Sequence, residues 1–455
     1  MQDGSRGERP ERSGRIWRGI TVPLGKSQVF ELRLYDEVLA CFEAHVDRFG
    51  VRTFALDTQS ITDWRKLPIP LASAPTNEAL VEWLRTRTVP RHQKYAKAIL
   101  KSAGIDPDDL LGQLGMSLGL SLSDAHWIIP AGLDLRWDET NLFHNDNLDV
   151  LSLAAYTGEV VNTSERSLLS TSWGTSGSFA KAWRRESDGT MVLYKSGSEL
   201  GAANDGQEPW SEYVAAQVAE ACGIAHVPYG LDIWKGRLCS TCPQLNDDQT
   251  ALTPSYLCVG TGGLYTLLAR YAVLGPQALE DFRDMVTFDA LIANTDRHGA
   301  NYAFLRDNHT GIVTALAPLY DHNLSLFSRD MPSDYPAWRD GSRVRTDELC
   351  RPSGHEMTFD QQAMVVMGER QRTMVARVAG IELHNAEGAA AVPSERLEAW
   401  QRYLCVRACQ LLALPETSAD ELAELIASAG VTEKDVPICT QGLVAEGLVR
   451  SDPLP

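Results

Sequence analysis

The sequence predicts an α+β fold in which a small β-rich lobe is joined to a larger helical lobe and preceded by an α-rich accessory region. Short β-like runs separated by glycine-containing turns fill residues 164–243, whereas residues 263–292 and 359–414 carry helical patterns. The predicted units are a disordered or extended N-terminal tail (1–27), an accessory α/β region (28–160), the β-rich lobe (161–262), the helical lobe (263–414) and a C-terminal helical appendage (415–455).

Length and composition are those of an ordinary globular protein with two or three units. The 455 residues exceed one average domain, and no apolar run approaches the roughly 18–20 residues that span a bilayer. The N-terminal tail has no apolar segment typical of a signal peptide. A net charge of −18 disfavours direct binding to nucleic acid or to an anionic membrane. Nine cysteines without regular spacing predict a cytoplasmic location.

The accessory region carries helix signals but no chemistry that spacing alone can identify. The pattern of Val29–Leu56 indicates short strands or one mixed α/β element. Asn77–Arg85 follows a Thr-Asn cap, His92–Ala103 ends at Gly104, and Asp106-Pro-Asp-Asp supplies the cap of another short helix.

The β-rich lobe is predicted to run strand, strand, strand, helix, strand, strand. The first three strands are Leu168–Trp173, Ser178–Trp183 and Thr190–Lys195. Asp188-Gly189 is a hairpin signal between the last two, and Lys235-Gly236 turns a second hairpin. The intervening helix, WSEYVAAQVAEACGI, is expected to stop at Gly223. Short turns of this kind predict antiparallel pairing.

The helical lobe is interrupted by one hairpin. Helices are predicted over LYTLLARYAVLG, PQALEDFRDMVTFDALIA, Phe359–Val378, Ser394–Leu414 and a final capped segment, TSADELAELIASAG. Asn308–Gly311 is expected to turn the hairpin formed by YAFLRD and GIVTALAPLY, and Gly260–Gly263 is expected to be a turn between the lobes.

The cysteines are interpreted as structural. Cys239 and Cys242 form the single CxxC, with no second pair or histidine pair at zinc-finger distance. Cys405 and Cys409 stand at i, i+4 in an apolar helix and are expected to be core thiols.

The segment NTDRHGANYAFL concentrates the polar chemistry of the chain. Asp296 and Asn301 stand five residues apart, and Asp321 follows an apolar approach. Phosphoryl transfer needs an aspartate that orients the acceptor hydroxyl, an asparagine and an aspartate that hold Mg²⁺, and a lysine on the phosphates that a glutamate positions. Lys195, at the end of a strand, and Glu212, in the next helix, are the candidates for that last pair.

These motifs resemble known kinase families. Asp296-Arg-His-Gly-Ala-Asn301 has the DRHxxN form of phosphatidylinositol 3- and 4-kinases. Together with Pro318-Leu-Tyr-Asp321, the segment resembles the HipA-like serine/threonine kinases over roughly residues 164–414. The resemblance implies a two-lobed protein-kinase-like fold that uses ATP and Mg²⁺ to phosphorylate Ser or Thr of a protein.

The resemblance also implies residue roles. Asp296 would be the catalytic base or orienting acid, with His298 bracing its loop by hydrogen bonding, and Asn301 and Asp321 would hold metal, while Lys195 would bind phosphate. Each has an ordinary structural alternative, such as a turn, a helix cap or a solvated strand end. Asp289 would either support the loop or form a surface salt bridge, and His322 is interpreted as facing solvent.

A Ser/Gly-rich segment precedes these motifs. Ser176, Gly177, Ser178 and Lys181 match the HipA-like loop that contacts nucleotide and that some members autophosphorylate, although the usual paired glycines are missing. Its backbone N–H groups could accommodate phosphate from a hairpin tip.

Three other functions remain open at the level of sequence. The same fold could phosphorylate a small molecule or a lipid headgroup. A pseudokinase or toxin-like interaction module could be held by an antitoxin-like, DNA-binding partner. A hydrolase with paired metals on Asp296 and Asp321 is weaker, because Asn301 and the Lys195/Glu212 pair would then have no role.

Overall fold

The computed structural model describes residues 23–89, 95–145, 155–159, 179–199, 201, 204–343 and 357–437. In this part of the chain, three antiparallel sheets are combined with helices, which is the mixed α/β architecture expected from the sequence. The finer division into two lobes stays a prediction. No helix among these residues is both long enough and apolar enough to cross a membrane.

The first sheet belongs to the accessory region. Its strands are β1 (Lys26–Leu34), β2 (Glu37–Val46), β3 (Arg52–Asp57) and β4 (His126–Pro130), in the order β3-β2-β1-β4. Along β1, the buried Phe30, Leu32 and Leu34 alternate with more exposed residues, because successive side chains of a strand point to opposite faces. Of the two alternatives for Val29–Leu56, short strands are the one observed, and the description of the whole region as α-rich was too narrow.

Helices complete the accessory region. They are α1 (Ile69–Ser73), α2 (Asn77–Thr86), α3 (Ala96–Ala103), α4 (Leu110–Ser117) and α5 (Trp137–Thr140). The side chain of Thr76 accepts a backbone N–H of α2 at 3.2 Å, and that of Asp109 accepts one of α4 at 2.9 Å, which confirms both predicted caps. The helix predicted from His92 begins at Ala96 in the described residues, and residues 90–94 lie outside them.

The second sheet carries the predicted lysine. Its strands are β5 (Lys181–Arg185), β6 (Met191–Ser196), β7 (Gly230–Trp234) and β8 (Arg237–Pro243), in the order β5-β6-β8-β7, with helix α6 (Glu208–Cys222) between β6 and β7. Both predicted hairpins are confirmed, although β5 starts three residues later than the predicted Ser178. Gly223 ends α6 with φ of +75°, as glycine readily does. The strand predicted at Leu168–Trp173 lies outside the described residues.

The third sheet includes a strand that the sequence did not predict. Its strands are β9 (Thr250–Pro254), β10 (Ala303–Asp307) and β11 (Val313–Leu316), in the order β11-β10-β9. The β10–β11 hairpin is confirmed. Strand β9 is short, and its place in the sheet comes from pairing with β10 some fifty residues later, so local periodicity could not identify it.

The remaining helices bury the largest core. They are α7 (Ser255–Val259), α8 (Leu264–Leu274), α9 (Pro276–Ile292), α10 (Tyr335–Arg339), α11 (Phe359–Val366), α12 (Glu369–Val378), α13 (Ser394–Leu412) and α14 (Ala419–Ser428). Trp338 and Trp400 stack within this core with ring centroids 6.0 Å apart. The single helix predicted over Phe359–Val378 is two helices, because the chain leaves the helical conformation at Met367 and Gly368. Gly260–Gly263 forms the turn between α7 and α8.

The cysteines follow the sequence interpretation with one exception. Cys239 and Cys242 are buried thiols of β8, and their odd spacing on a strand directs them to opposite faces. Cys405 is half-buried, but Cys409 is exposed, so the expectation of a core thiol at Cys409 was wrong. One helical turn after Cys405, Cys409 lies outside the face of α13 that packs against the core.

A buried arginine joins the accessory region to the third sheet. Arg306 of β10 is 2% exposed, and its guanidinium donates to the carbonyls of Arg65, Leu67 (2.9 Å) and Gly311 (2.8 Å). The turn at Gly311 comes so close to the chain that a Cβ on this residue would overlap the Arg65 carbonyl. The accessory region is therefore packed against the β10–β11 hairpin through backbone groups.

We expect Gly311→Ala to lower the free energy of unfolding by about 1–3 kcal/mol more than Gly236→Ala, the usual cost of forcing atoms into a packed contact. Both glycines have φ of +75°, but nothing lies within 4 Å of a Cβ at Gly236. Urea denaturation of the two variants measures the difference. Equal losses would mean that the close approach to Arg65 contributes nothing.

Candidate active site

An ion cluster joins the second sheet to the segment that contains Asp321. The Nζ of Lys195, on β6, lies 2.7 Å from Oε1 of Glu212 on α6 and 2.5 Å from Oδ1 of Asp321. Ser240, opposite Lys195 on β8, donates its hydroxyl to the other Glu212 oxygen. Lys195 and Glu212 are buried, with 7% and 0% of their surface exposed. The three residues predicted from separate parts of the sequence therefore meet.

Burial and charge shift the pKa of each member of this cluster. Burial alone would lower the pKa of the Lys195 ammonium, but the carboxylates of Asp321 and Glu212 outweigh burial and raise it. Burial likewise opposes ionisation of Asp321, yet Lys195 and Lys181 hold its pKa at about 2. At Glu212, burial dominates and raises the pKa. Asp321 consequently carries a negative charge at neutral pH.

A second, fully buried ion pair holds the polar loop. Asp289 of α9 accepts from Nε of Arg297 at 2.9 Å and from Nη2 at 3.1 Å, and both side chains are 0% exposed. The side-chain amide of Asn294 also donates to Asp289 at 2.9 Å. The side-chain oxygen of Asn294 accepts the backbone N–H of Asp296 at 3.1 Å. Of the two roles left open for Asp289, support of the loop is the one observed.

Arg297 also ties the loop to the Asp321 segment. Its Nη1 donates to the backbone carbonyls of Asn301 and Tyr320, the latter at 2.7 Å. Its Nη2 lies 2.9 Å from Nδ1 of His322. The interpretation of His322 as a solvent-facing residue was wrong, because its side chain is 0% exposed. Burial and the adjacent Arg297 lower the pKa of His322 far below its ordinary value, so a neutral ring accepts from the guanidinium.

The loop places Asp296, His298 and Asn301 within one short turn. The side-chain amide of Asn301 donates to the backbone carbonyl of Asp296 at 2.9 Å and lies 3.4 Å from its carboxylate. Nδ1 of His298 accepts the N–H of Ala300 at 3.2 Å, so the imidazole hydrogen-bonds within the loop. Asp296 and His298 are half-buried, whereas Asn301 is 7% exposed.

The backbone at Asp321 is in an uncommon conformation. Its φ is +59°, in the left-handed region that few non-glycine residues occupy. The N–H of Asp321 donates to the Tyr229 hydroxyl at 3.1 Å. Residues with such backbone conformations are concentrated at functional sites, and here the conformation accompanies the contact of Asp321 with Lys195.

Lys181 is a second buried cation of the site. It is 4% exposed and stands directly opposite Lys195 in the β5–β6 register. Burial and the neighbouring Lys195 lower the pKa of Lys181 to about 7, although Asp321 and Glu212 act against that shift. The other predicted nucleotide-contact residues, Ser176, Gly177 and Ser178, lie outside the described residues.

A cavity of about 960 Å³ collects these groups. Lys181, Lys195, Asn301 and Asp321 line it, and its volume is in the range of sites that enclose a small ligand. Asp296 and His298 are not among the described residues that line it. Nor do the described residues contain a cluster of three or more His, Cys, Asp or Glu side chains suited to a metal.

Several structural residues of the site escaped sequence reasoning. Arg297 lies within the DRHxxN motif, between the candidate residues Asp296 and His298. Its place in that motif was the signal in the sequence that could have identified it. Ser240 and Tyr229 carried no signal, because each reaches the site only through strand pairing or packing.

We expect Arg297→Met to reduce the free energy of unfolding by about 3–5 kcal/mol, the usual cost of leaving a buried charge without its partner. The uncompensated charge would be Asp289. Arg136→Met is the control, because Arg136 forms an ion pair with Asp36 at the surface and its side chain is 65% exposed. Such surface pairs contribute about 0–1 kcal/mol. Chemical denaturation measures both, and similar losses would contradict a special role for Arg297.

The low pKa of Lys181 predicts a pH-dependent stability. In the unfolded chain the Lys181 amine keeps its proton up to its ordinary pKa of 10.5, whereas the folded protein releases that proton above about 7. Between these values the unfolded state binds more protons, so folding stability rises with pH. Relative to Lys181→Met, wild-type protein should therefore gain stability from pH 7 to pH 10.

Urea denaturation at pH 6, 8 and 9.5 measures this trend. The control is Lys235→Met, at an exposed turn position. A difference between wild type and Lys181→Met that does not change with pH would show that Lys181 keeps its proton in the folded protein.

Comparisons with solved structures give likenesses at low sequence identity, two of which are described below. Neither the models of known families nor the curated proteins contain a match. HipA of Shewanella oneidensis MR-1, solved with HipB and its operator DNA, aligns at 15% identity with a TM-score of 0.46, over 92% of this chain and 99% of its own. The Helicobacter pylori proinflammatory kinase CtkA aligns at 15% identity with a TM-score of 0.36, over 58% of this chain and 94% of its own. Likenesses at this level do not carry an assignment, which therefore depends on the geometry of the site.

Proposed function

We propose that this protein is an ATP- and Mg²⁺-dependent kinase that transfers the γ-phosphate to a Ser or Thr hydroxyl of a protein. The observation that carries the proposal is the contact of Lys195 with both Glu212 and Asp321, in a cavity that Asn301 also lines. Phosphoryl transfer depends on positioning and on charge neutralisation rather than on covalent chemistry, and these are the functions that such a cluster can perform.

Lys195 would supply positive charge to the polyphosphate, and Lys181, whose pKa is lowered to about 7, would take up its proton as the anion binds. Lys195 is held in place by Glu212, whose other oxygen accepts from Ser240. Lys181 stands beside it on the neighbouring strand. In a buried site such charges act more strongly than in water, because the surrounding dielectric is low. Lys195 and Lys181 would therefore orient the phosphates and offset their charge.

Asn301 and Asp321 have the donor atoms that Mg²⁺ prefers. The amide nitrogen of Asn301 is engaged with Asp296, so its oxygen is the end of the side chain that can ligate a cation. Asp321 is ionised at neutral pH. Mg²⁺ commonly uses one or two protein groups together with phosphate and water, which this pair fits. When bound, the ion would neutralise charge on the phosphate oxygens.

Asp296 would receive the acceptor hydroxyl. Its backbone is fixed by Asn294 and Asn301, and its carboxylate is half-buried rather than enclosed. A carboxylate in that position can align a serine or threonine O–H and accept its proton as the oxygen is phosphorylated. His298 would hold the loop in shape through its contact with Ala300.

Four parts of the proposal come from the sequence resemblance. They are the protein nature of the acceptor, the division into a β-rich lobe (161–262) and a helical lobe (263–414), an antitoxin-like partner, and autophosphorylation of the Ser176–Ser178 segment.

We expect Asp296→Asn to lower the rate of phosphate transfer by about 10²–10⁴-fold, the usual contribution of a positioned general base. The measurement uses γ-labelled ATP and Mg²⁺ with full-length protein, reading label on casein and on the chain itself. Affinity for Mg·ATP should stay near that of wild type, because Asp296 does not line the cavity in the described residues. Asp138→Asn is the matched control, because the Asp138 side chain is 67% exposed.

Asp321→Asn should have the opposite signature. We expect the substitution to weaken nucleotide binding in the presence of Mg²⁺. The affinity of the variant for nucleotide should change little when Mg²⁺ is added. A wild-type rate in Asp296→Asn would remove the role of that residue, whereas wild-type protein that neither binds Mg·ATP nor transfers label would refute the kinase proposal.

A further inference from the structure

The cavity that contains the ion cluster extends well beyond it, into the accessory region. Its exposed lining residues are Arg85, Thr86, Pro107, Asp108, Ser123 and Pro243. All but Pro243 belong to the accessory region, whereas Lys181 and Lys195 lie at the buried end. Among the described residues, the accessory region thus borders the open side of the cavity.

Hydrogen bonds hold this border in place. The side chains of Gln244 and Asn246, which follow β8, donate to the Leu122 carbonyl at 3.2 and 2.9 Å. The N–H of Leu252 on β9 donates to the Ser123 carbonyl at 2.7 Å. The loop 121–125 of the accessory region is therefore attached to the chain segment that runs along the cavity from β8 to β9.

The accessory end also has a buried polar wall. Arg87 is 5% exposed and donates to both oxygens of Asp124, at 3.0 and 2.5 Å. Asp124 accepts the backbone N–H of His126 at 2.9 Å. Burial opposes ionisation of Asp124, but Arg87 and His126 outweigh it and lower its pKa. The pair is thus charged, fixed and close to the cavity.

The chemistry changes along the length of the cavity. At the buried end stand Lys181, Lys195 and Asp321, which suit phosphates. Next to the two lysines along β5 and β6, the lining becomes apolar at Trp183 and Leu193, which pair across the strands and pack against the hydrophobic core of the accessory region. A planar base fits an apolar slot that has polar groups at its far edge.

We propose that the accessory region forms part of the nucleotide site, with the loop 121–125 and the end of α2 as the wall against which the base of ATP lies. This inference rests on the proposed kinase function and deepens it. The nucleotide, rather than the phosphate acceptor, is the occupant, because the cavity lining includes Asn301 and Asp321 but, among the described residues, neither Asp296 nor His298. The acceptor then reaches Asp296 from outside this cavity.

The test places bulk at the accessory wall without disturbing the ion cluster. Ser123→Trp adds a large side chain at an exposed lining position and leaves its backbone carbonyl free to accept from Leu252. Thr53→Trp adds the same side chain at an exposed position of β3 that is not part of the described cavity lining. Calorimetric titration with Mg·ATP and with Mg·tripolyphosphate, which has no base, compares the two variants with wild type.

We expect Ser123→Trp to weaken Mg·ATP by at least about 10-fold, the scale at which a pocket rejects extra bulk, and to leave Mg·tripolyphosphate unchanged. Thr53→Trp should bind both ligands as wild type does. Wild-type affinity of Ser123→Trp for Mg·ATP would overturn the inference while the kinase proposal stands. If wild-type protein binds neither ligand, both proposals fail.

A second measurement uses the unaltered protein, so folding of a variant cannot confuse it. Photolysis with 8-azido-ATP, followed by peptide mapping, should label residues within 83–89 or 121–126. Labelling confined to 181–199 and 227–257 would place the base away from the accessory region and overturn the inference. If unmodified ATP does not reduce the labelling at any residue, that result would count against the kinase proposal as well.

Discussion

The buried guanidinium of Arg297 is the interaction on which the site depends. It joins Asp289 of α9, the carbonyls of Asn301 and Tyr320, and the ring of His322. These partners come from three separate segments, so one side chain fixes the polar loop to the segment of Asp321. Arginine suits this task, because its planar, always charged group offers five donors in fixed directions. A lysine could satisfy fewer of these acceptors, and it would lack the fork that holds Asp289.

The cavity contrasts in charge with the protein that encloses it. The chain has a net charge of −18, yet the described residues that line the cavity include five arginines and lysines and three carboxylates. A positive cavity in an acidic protein favours a small anion over a large one such as nucleic acid. The negative charge of the outer surface repels a large polyanion, while the walls of the cavity concentrate the local electric field. A nucleotide polyphosphate matches that selection.

The accessory region is structurally continuous with the site. Arg306 anchors it to the third sheet through backbone carbonyls, and Leu122 and Ser123 accept from the segment between β8 and β9. The region therefore does more than cover the surface, since one set of contacts supports the β10–β11 hairpin and a second set attaches the loop 121–125 beside the cavity.

Elements with strong local signals could be predicted from the amino-acid sequence. Capped helices, glycine-turned hairpins and the five-residue spacing of Asp296 and Asn301 depend on neighbouring residues, and local physics was enough to identify them. Lys195, Glu212 and Asp321 were also identified as candidates, but only the fold decided that they meet. Strand β9, the burial of His322, the choice of Asp289 as loop support and the extension of the cavity to Arg87 all depend on contacts between distant segments. Burial and pairing between such segments are set by the packing of the whole chain, and no local pattern encodes them.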